Sequence, residues 1–300
     1  MTTLVLDRIE IEEVGANSER LAEAIHRQLG TCQGPVPVHD IAKALDITEI
    51  REEPLINFEA ALLTTMERGY GSMLVNLTSS RQRRRYSVGH ELLHFLNPWH
   101  EPTSPQGFQC SREDMLETGK RAGDVHRTQE GEANRFAIEL LAPPARVRPY
   151  LVTEVDLANV LAMAEDLDIS REAAARRYIA LHNDRLAVLF AKNGLLRYAD
   201  LTSGFPRLCV QYGQPVPVLP PISGARNLSP IDEVDADDWV QRADGSRLWA
   251  QILRQQDGFA TILLRVSGDE ENEESELEDT FERFAQTESR RDLSRPFGLS

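Results

Sequence analysis

Cysteine is scarce in this 300-residue chain. Cys32, Cys110 and Cys209 are odd in number and far apart. That argues against a disulfide framework or a cysteine-rich zinc knot and reads as free thiols in a reducing compartment. No neighbouring residue suggests a base that would activate one of them for catalysis. Positive charge is short as well: 33 Lys and Arg face 48 Asp and Glu, for a net charge of −15. A surface of that sign repels phosphate backbones, so direct nucleic-acid binding is not expected, whereas a basic protein partner would be attracted. Long apolar runs are missing too, none nearing the roughly eighteen residues of a membrane span. The opening MTTLVLDRIE has neither the basic start nor the apolar core of a secretion signal. The expectation is a cytoplasmic protein with no membrane partner.

What the chain does have is His90-Glu91-Leu92-Leu93-His94, set in RRRYSVGHELLHFL. Val88, Leu92, Phe95 and Leu96 recur at helical spacing, and Pro98 should stop the helix soon after the second histidine. Residues i and i+4 share a helix face, so both imidazoles can reach one metal ion. Glu91 can then hold the water that the metal polarises and act as general base. This is the apparatus of a metal-dependent peptidase. The basic run Arg81 to Arg85 is better read as a first turn pairing with carboxylates of an acidic chain than as a DNA patch.

Two histidines leave a tetrahedral zinc site short of a protein ligand. Gln129 to Leu141 reads as a second amphipathic helix, with Ala133, Phe136, Ala137, Leu140 and Leu141 on its buried stripe. Glu130 is the better third ligand, because Glu130-x-x-Ala133-Asn134 resembles the segment that opens with the third ligand in metallopeptidases using two histidines and a glutamate. That resemblance implies a hydrogen bond between Asn134 and a ligand histidine. Glu132 is the alternative. Between the two helices, residues 97–127 are polar and proline-bearing, a flap or a long insertion. His100 and His126, which lie there, read as surface residues, with substitute ligand or transition-state donor as the other option. Tyr86, Tyr178 and His182 are candidate oxyanion donors, and the sequence does not choose among them.

Four segments, in order, resemble the ImmA/IrrE metallopeptidase family: VPVHDIAKALDI from Val36, QRRRYSVGHELLH from Gln82, EGEANRFAIELLAP from Glu130 and DISREAAARRY from Asp168. Leu93 and Gly89 depart from the Gly and Ala usual in the histidine motif, and Ala142 stands where Met is usual. The resemblance implies an α+β, zincin-like core with helices on a small antiparallel or mixed sheet. It also implies zinc, with manganese as an alternative in the cell, and a helix-turn-helix repressor as the substrate, cleaved under a stress or mobile-element signal. A different class of function remains open: a regulator that sequesters a repressor or antitoxin without cutting it, its metal site structural or weakly active.

The expected organisation is a metallopeptidase core over 1–150, a helix-turn-helix-like segment with a β-hairpin over 151–215, and a mixed extension with an acidic tail over 216–300. Helices are expected near 17–30 and 38–46, and strands near 60–65 and 71–77. The second strand, just ahead of the metal helix, is expected to be an edge strand lining the cleft. Further strands are expected at 186–191, 195–198, 238–241, 247–254 and 259–265, and an acidic run at 269–279 ahead of a short helix.

Overall fold

A computed structural model describes residues 4–102, 104, 107–116, 124–151, 154–217, 227–241 and 245–267. The acidic run and the short helix expected after it lie outside those residues. The chain divides into two compact units, residues 1–181 and 182–300. Within each, helices and sheet form the mixed α+β architecture expected of a zincin-like domain followed by a β-rich part.

The first unit opens with helices α1 (Arg8–Glu12), α2 (Ser18–Leu29) and α3 (Val38–Ala44). Strands β1 (Ile47–Glu53), β2 (Ala60–Thr64) and β3 (Gly71–Asn76) follow, then helix α4 (Arg81–Leu96), strand β4 (Gly107–Cys110) and helix α5 (Val125–Leu141). Short α6 (Pro144–Val147) leads to the pair α7 (Leu157–Leu167) and α8 (Arg171–Leu181). The sheet runs β1-β3-β2-β4, with β1 parallel to β3 and the other pairings antiparallel. The expectation that 71–77 is an edge strand is therefore corrected: β3 lies between β1 and β2. The edges are β1 and β4, neither of which stands out in the sequence. Strand β1 (ITEIREE) buries only Ile47 fully, so it carries almost no apolar signal.

Local chemistry explains the two long helices. Ser80 caps α4 by accepting the Arg83 amide, and Asp124 does the same for α5 with Arg127. Val88, Leu92, Leu93 and Phe95 of α4 and Phe136, Ala137 and Leu140 of α5 are buried where the two helices pack on each other and α4 packs on β2 and β3. Leu93 is thus a core residue. The arginine-rich turn pairs with acids as expected: Arg84 Nε lies 3.1 Å from Glu52, and Arg81 and Arg85 lie 2.9 and 3.3 Å from Asp168. Asp168 is the left-handed residue (φ 50°) of the α7–α8 turn. Arg177 of α8 makes a two-pronged bond to Glu139 of α5 at 2.7 and 2.6 Å and donates to the Ala142 carbonyl. These bonds tie α7 and α8 to the first unit, so the compact division falls at 181/182 and not at 150.

The second unit is a five-stranded antiparallel sheet. Its strands β5 (Arg185–Lys192), β6 (Leu195–Leu201), β7 (Asp232–Val234), β8 (Arg247–Arg254) and β9 (Phe259–Ser267) are ordered β6-β5-β9-β8-β7. Asn193 and Gly194, with φ of 51° and 78°, make the tight hairpin turn between β5 and β6. Because β5 pairs with β9 along its whole length, the hairpin belongs to one sheet with the chain's later strands. Asp238 and Trp239, the first half of the strand expected at 238–241, lie instead in a helical turn, α9 (Ala236–Trp239), capped by Asp235. That turn seats Trp239 in the sheet's core.

Candidate metal centre

His90 and His94, one turn apart on α4, face Glu130 in the first turns of α5. His90 Nε2 lies 3.0 Å from Glu130 Oε2, and His94 Nε2 lies 3.5 Å from Glu130 Oε1 and 3.2 Å from His90 Nε2. The fourth member of the cluster is one the sequence reading set aside. Cys110, at the end of β4, puts its Sγ 3.6 Å from His94 Nε2 and 4.0 Å from Glu130 Oε1. One ligand atom from each of the four residues lies within 4.8 Å of the others, and all four residues are buried. The three cysteines are free, but the view of Cys110 as a bystander is overturned. The only signal that could have found it is the inward side of a short strand, Phe108 and Cys110 buried with Gln109 out.

The surrounding hydrogen bonds fix which ring nitrogens face the cluster. Asn134 Nδ2 donates to the Asp114 carbonyl, so its Oδ1 accepts from the Tyr86 hydroxyl at 2.9 Å and from His90 Nδ1 at 3.0 Å. That leaves the lone pair of a neutral His90 on Nε2. On the other side, His100 Nε2 donates to Glu132 at 3.1 Å, and His100 Nδ1 accepts from His94 Nδ1 at 2.8 Å. The lone pair of His94 is likewise on Nε2. His100 is thus buried and engaged, not a surface residue, and its ring orients His94 as histidine ligands require. Its backbone is held as well: Arg68 donates to the carbonyls of His94, Asn97 and His100, satisfying the end of α4. Between the two alternatives on α5, Glu130 faces the cluster and Glu132 supports His100.

His126 is half-exposed, with Nδ1 3.6 Å from Glu130 Oε1 and Nε2 3.3 Å from Asp114. Of the three oxyanion candidates, Tyr86 is beside the cluster, with its proton given to Asn134. Tyr178 is buried on α8, and His182 opens the second unit, its Nδ1 accepting the Asp184 amide at 3.1 Å.

Glu91 is fully buried, and no hydrogen bond of ordinary length reaches either carboxylate oxygen, although the Cys110 thiol lies close enough to favour its charge. Burial pushes its carboxyl up to about 7, with His90 pulling the other way. Burial also drags His94 down to about 3. For His90, burial is outweighed by its bond and attraction to Glu130, and the net shift is upward. Glu130 is held well below the usual carboxylate range: burial opposes this, but both histidines favour its charge.

The donor set fits a divalent metal. Tetrahedral bonds of 2.0–2.3 Å place neighbouring donors roughly 3.3–3.6 Å apart, close to the 3.0–3.6 Å seen among most of these atoms. A buried carboxylate so poorly satisfied beside such a set is what a metal-linked water would satisfy, and is otherwise costly.

With this geometry in view, comparison with known proteins is informative. Residues 43–178 match the model of the IrrE N-terminal-like domain, the Peptidase M78 family. The matched stretch includes α4, β4 and α5 and supports a metallopeptidase domain of this type over those residues. Among solved structures, a Mycobacterium tuberculosis transcriptional regulator is similar in fold, with a TM-score of 0.52 over 86% of this chain and 79% of that one, at 11% identity. No curated protein matches the sequence significantly. Among the described residues no helix is long and apolar enough to cross a membrane.

Proposed function

We propose that the protein is a zinc-dependent peptidase acting in the cytoplasm on a helix-turn-helix transcriptional repressor. The observation that carries this reading is Glu91, a fully buried carboxylate with no partner of ordinary hydrogen-bond length except the neighbouring Cys110 thiol, beside four convergent metal donors. A module built only to bind has no use for such a group, because burying it unpaired costs stability. His90, His94 and Glu130 would hold the ion. When bound, zinc supplies Lewis-acid polarisation of a water and of the scissile carbonyl. Glu91 would hold that water, take its proton, and pass the proton to the leaving amine. Strand β4, at the sheet's edge, offers a line of backbone groups to an extended substrate segment. The net charge of −15 favours a basic substrate such as a DNA-binding protein.

The test is cleavage of helix-turn-helix repressors encoded near the protein by wild type and Glu91→Gln, with metal content measured for both. Loss of cleavage by about 10²-fold or more with zinc retained supports the reading. Equal cleavage by the two proteins overturns it. A second reading, partner sequestration around a structural metal, is favoured by one observation. Cys110 supplies a fourth protein donor, and four-donor zinc sites are usually closed. Repression relieved equally by Glu91→Gln, without cleavage, would select it.

A further inference from the structure

We propose that Cys110 Sγ is the fourth ligand of the metal in the resting protein, occupying the position that the attacking water needs and holding the peptidase latent. This inference rests on the metal-site reading above and concerns how that same site is controlled.

Three observations carry it. The first is distance. Sγ stands 3.6 Å from His94 Nε2, which is the spacing, roughly 3.6 Å, that a tetrahedral ion imposes between a thiolate and an imidazole nitrogen. The second is that the thiol is built into place. In β4, Gly107 pairs with Leu63 and Cys110 with Ala60, and the Glu59 amide donates to the Cys110 carbonyl at 2.9 Å. Gly107 adopts φ +137°, and a Cβ there would lie 2.0 Å from the Leu62 carbonyl oxygen. The strand can be drawn this close to β2 only because that position is glycine. Cys110 has therefore little freedom to swing away from the donors while β4 stays paired. The third is chemistry. His90, His94 and Glu130 alone make a three-ligand site with one open position, the form zinc peptidases use. Adding a thiolate converts that arrangement into a closed set of two nitrogens, one oxygen and one sulfur.

Coordination replaces the S–H bond by a metal–sulfur bond, and the proton leaves to bulk water, so metal uptake releases a proton. Opening the site requires the thiolate to give up its place. Because Cys110 is carried on an edge strand, a segment that pairs with β4 and shifts it would accomplish this without any change at α4 or α5.

The full-length protein is purified with zinc and examined by X-ray absorption at the zinc edge. The cobalt-substituted form is then examined by absorption spectroscopy, for wild type, Cys110→Ser and the double control Cys32→Ser/Cys209→Ser. The expected result is one sulfur scatterer at about 2.3 Å and a thiolate-to-cobalt charge-transfer band in wild type. Both should persist in the double control. Cys110→Ser should still bind one metal but lose the sulfur signal. Acetohydroxamate should then perturb its cobalt spectrum at concentrations at least about tenfold lower than wild type requires, because the fourth position is open. One metal per wild-type chain with only nitrogen and oxygen scatterers overturns the thiolate latch and leaves the metal-site reading standing. A wild-type chain that takes up no metal overturns both. A sulfur signal with equal acetohydroxamate sensitivity in the two proteins overturns the latency. The wild-type absorption measurement needs no variant to fold.

Discussion

Replacing His100 by leucine should weaken zinc binding although His100 is not itself among the four donors. His100 Nδ1 accepts from His94 Nδ1 at 2.8 Å, and both side chains are essentially fully buried. Leucine removes that acceptor and fills the space, so water cannot readily take its place. The Nδ1–H of His94 is then buried without a partner, at a cost of about 1–3 kcal/mol. That cost falls only on the tautomer whose Nε2 lone pair faces the metal. At 1.4 kcal/mol per factor of ten, it predicts a loss of roughly 5- to 150-fold in affinity, which overlaps the roughly 10- to 100-fold typical of groups that orient ligand histidines. Glu132→Gln should cost less, because the amide oxygen can still accept from His100 Nε2. The assay is competition for zinc against a chromophoric chelator, with the thermal midpoint of the metal-free proteins as a check on folding. His100→Leu binding zinc within about twofold of wild type, with Glu132→Gln no better than His100→Leu, would refute the argument.

Two further outcomes follow from the packing of the first unit. Asp168→Asn keeps a residue that tolerates φ 50° but removes the charge facing Arg85 and Arg81, with Arg85 almost completely buried. Stability should fall by about 3 kcal/mol in urea titration, and an unchanged midpoint would show that the pair contributes nothing. His26 donates from Nε2 to the Leu140 carbonyl at 2.9 Å, and burial lowers its pKa below 6.5. A histidine kept neutral by folding contributes stability that is complete above pH 6.5. This contribution declines as pH falls from 6.5 through the lowered folded value. The stability advantage of wild type over His26→Gln should therefore shrink between pH 7.5 and 5; an advantage independent of pH would contradict it.

The two helices that meet at the site are legible in the sequence because helical spacing is a local signal. His90 and His94 are four residues apart, and Glu130 and Asn134 repeat that spacing on α5. The capping serine and aspartate and the apolar stripes add to it. What escapes is what depends on pairing between distant segments. Strand β4 is four residues long, begins with glycine, and sits in a stretch whose polarity reads as loop. Its place beside β2, and hence the position of Cys110, follows from register with residues fifty positions earlier, which no local pattern encodes. His100 escapes for a related reason. Its burial follows from Arg68 gathering the carbonyls at the end of α4, a contact made by a left-handed turn residue outside every motif. The hairpin of β5 and β6 is visible, but its partnership with β9, seventy residues on, is not.

The segment Glu130-Gly131-Glu132-Ala133-Asn134 makes the strongest case that the centre is built for a cation. Helical phase puts Glu130 and Asn134 on one face and turns Glu132 away by about 200°. One turn of α5 thus supplies a donor, the anchor of His90, and the anchor of His100 and so of His94. Each anchor fixes a tautomer, and both tautomers aim a lone pair at the same point, leaving two Nε2 atoms 3.2 Å apart. Two facing lone pairs repel unless a positive charge lies between them. A proton can serve only one of the two nitrogens at a time. A divalent ion satisfies both nitrogens and the carboxylate at once. The supporting bonds of Asn134, His100 and Glu132 would be wasted on a shared proton, which needs only one ring held in place.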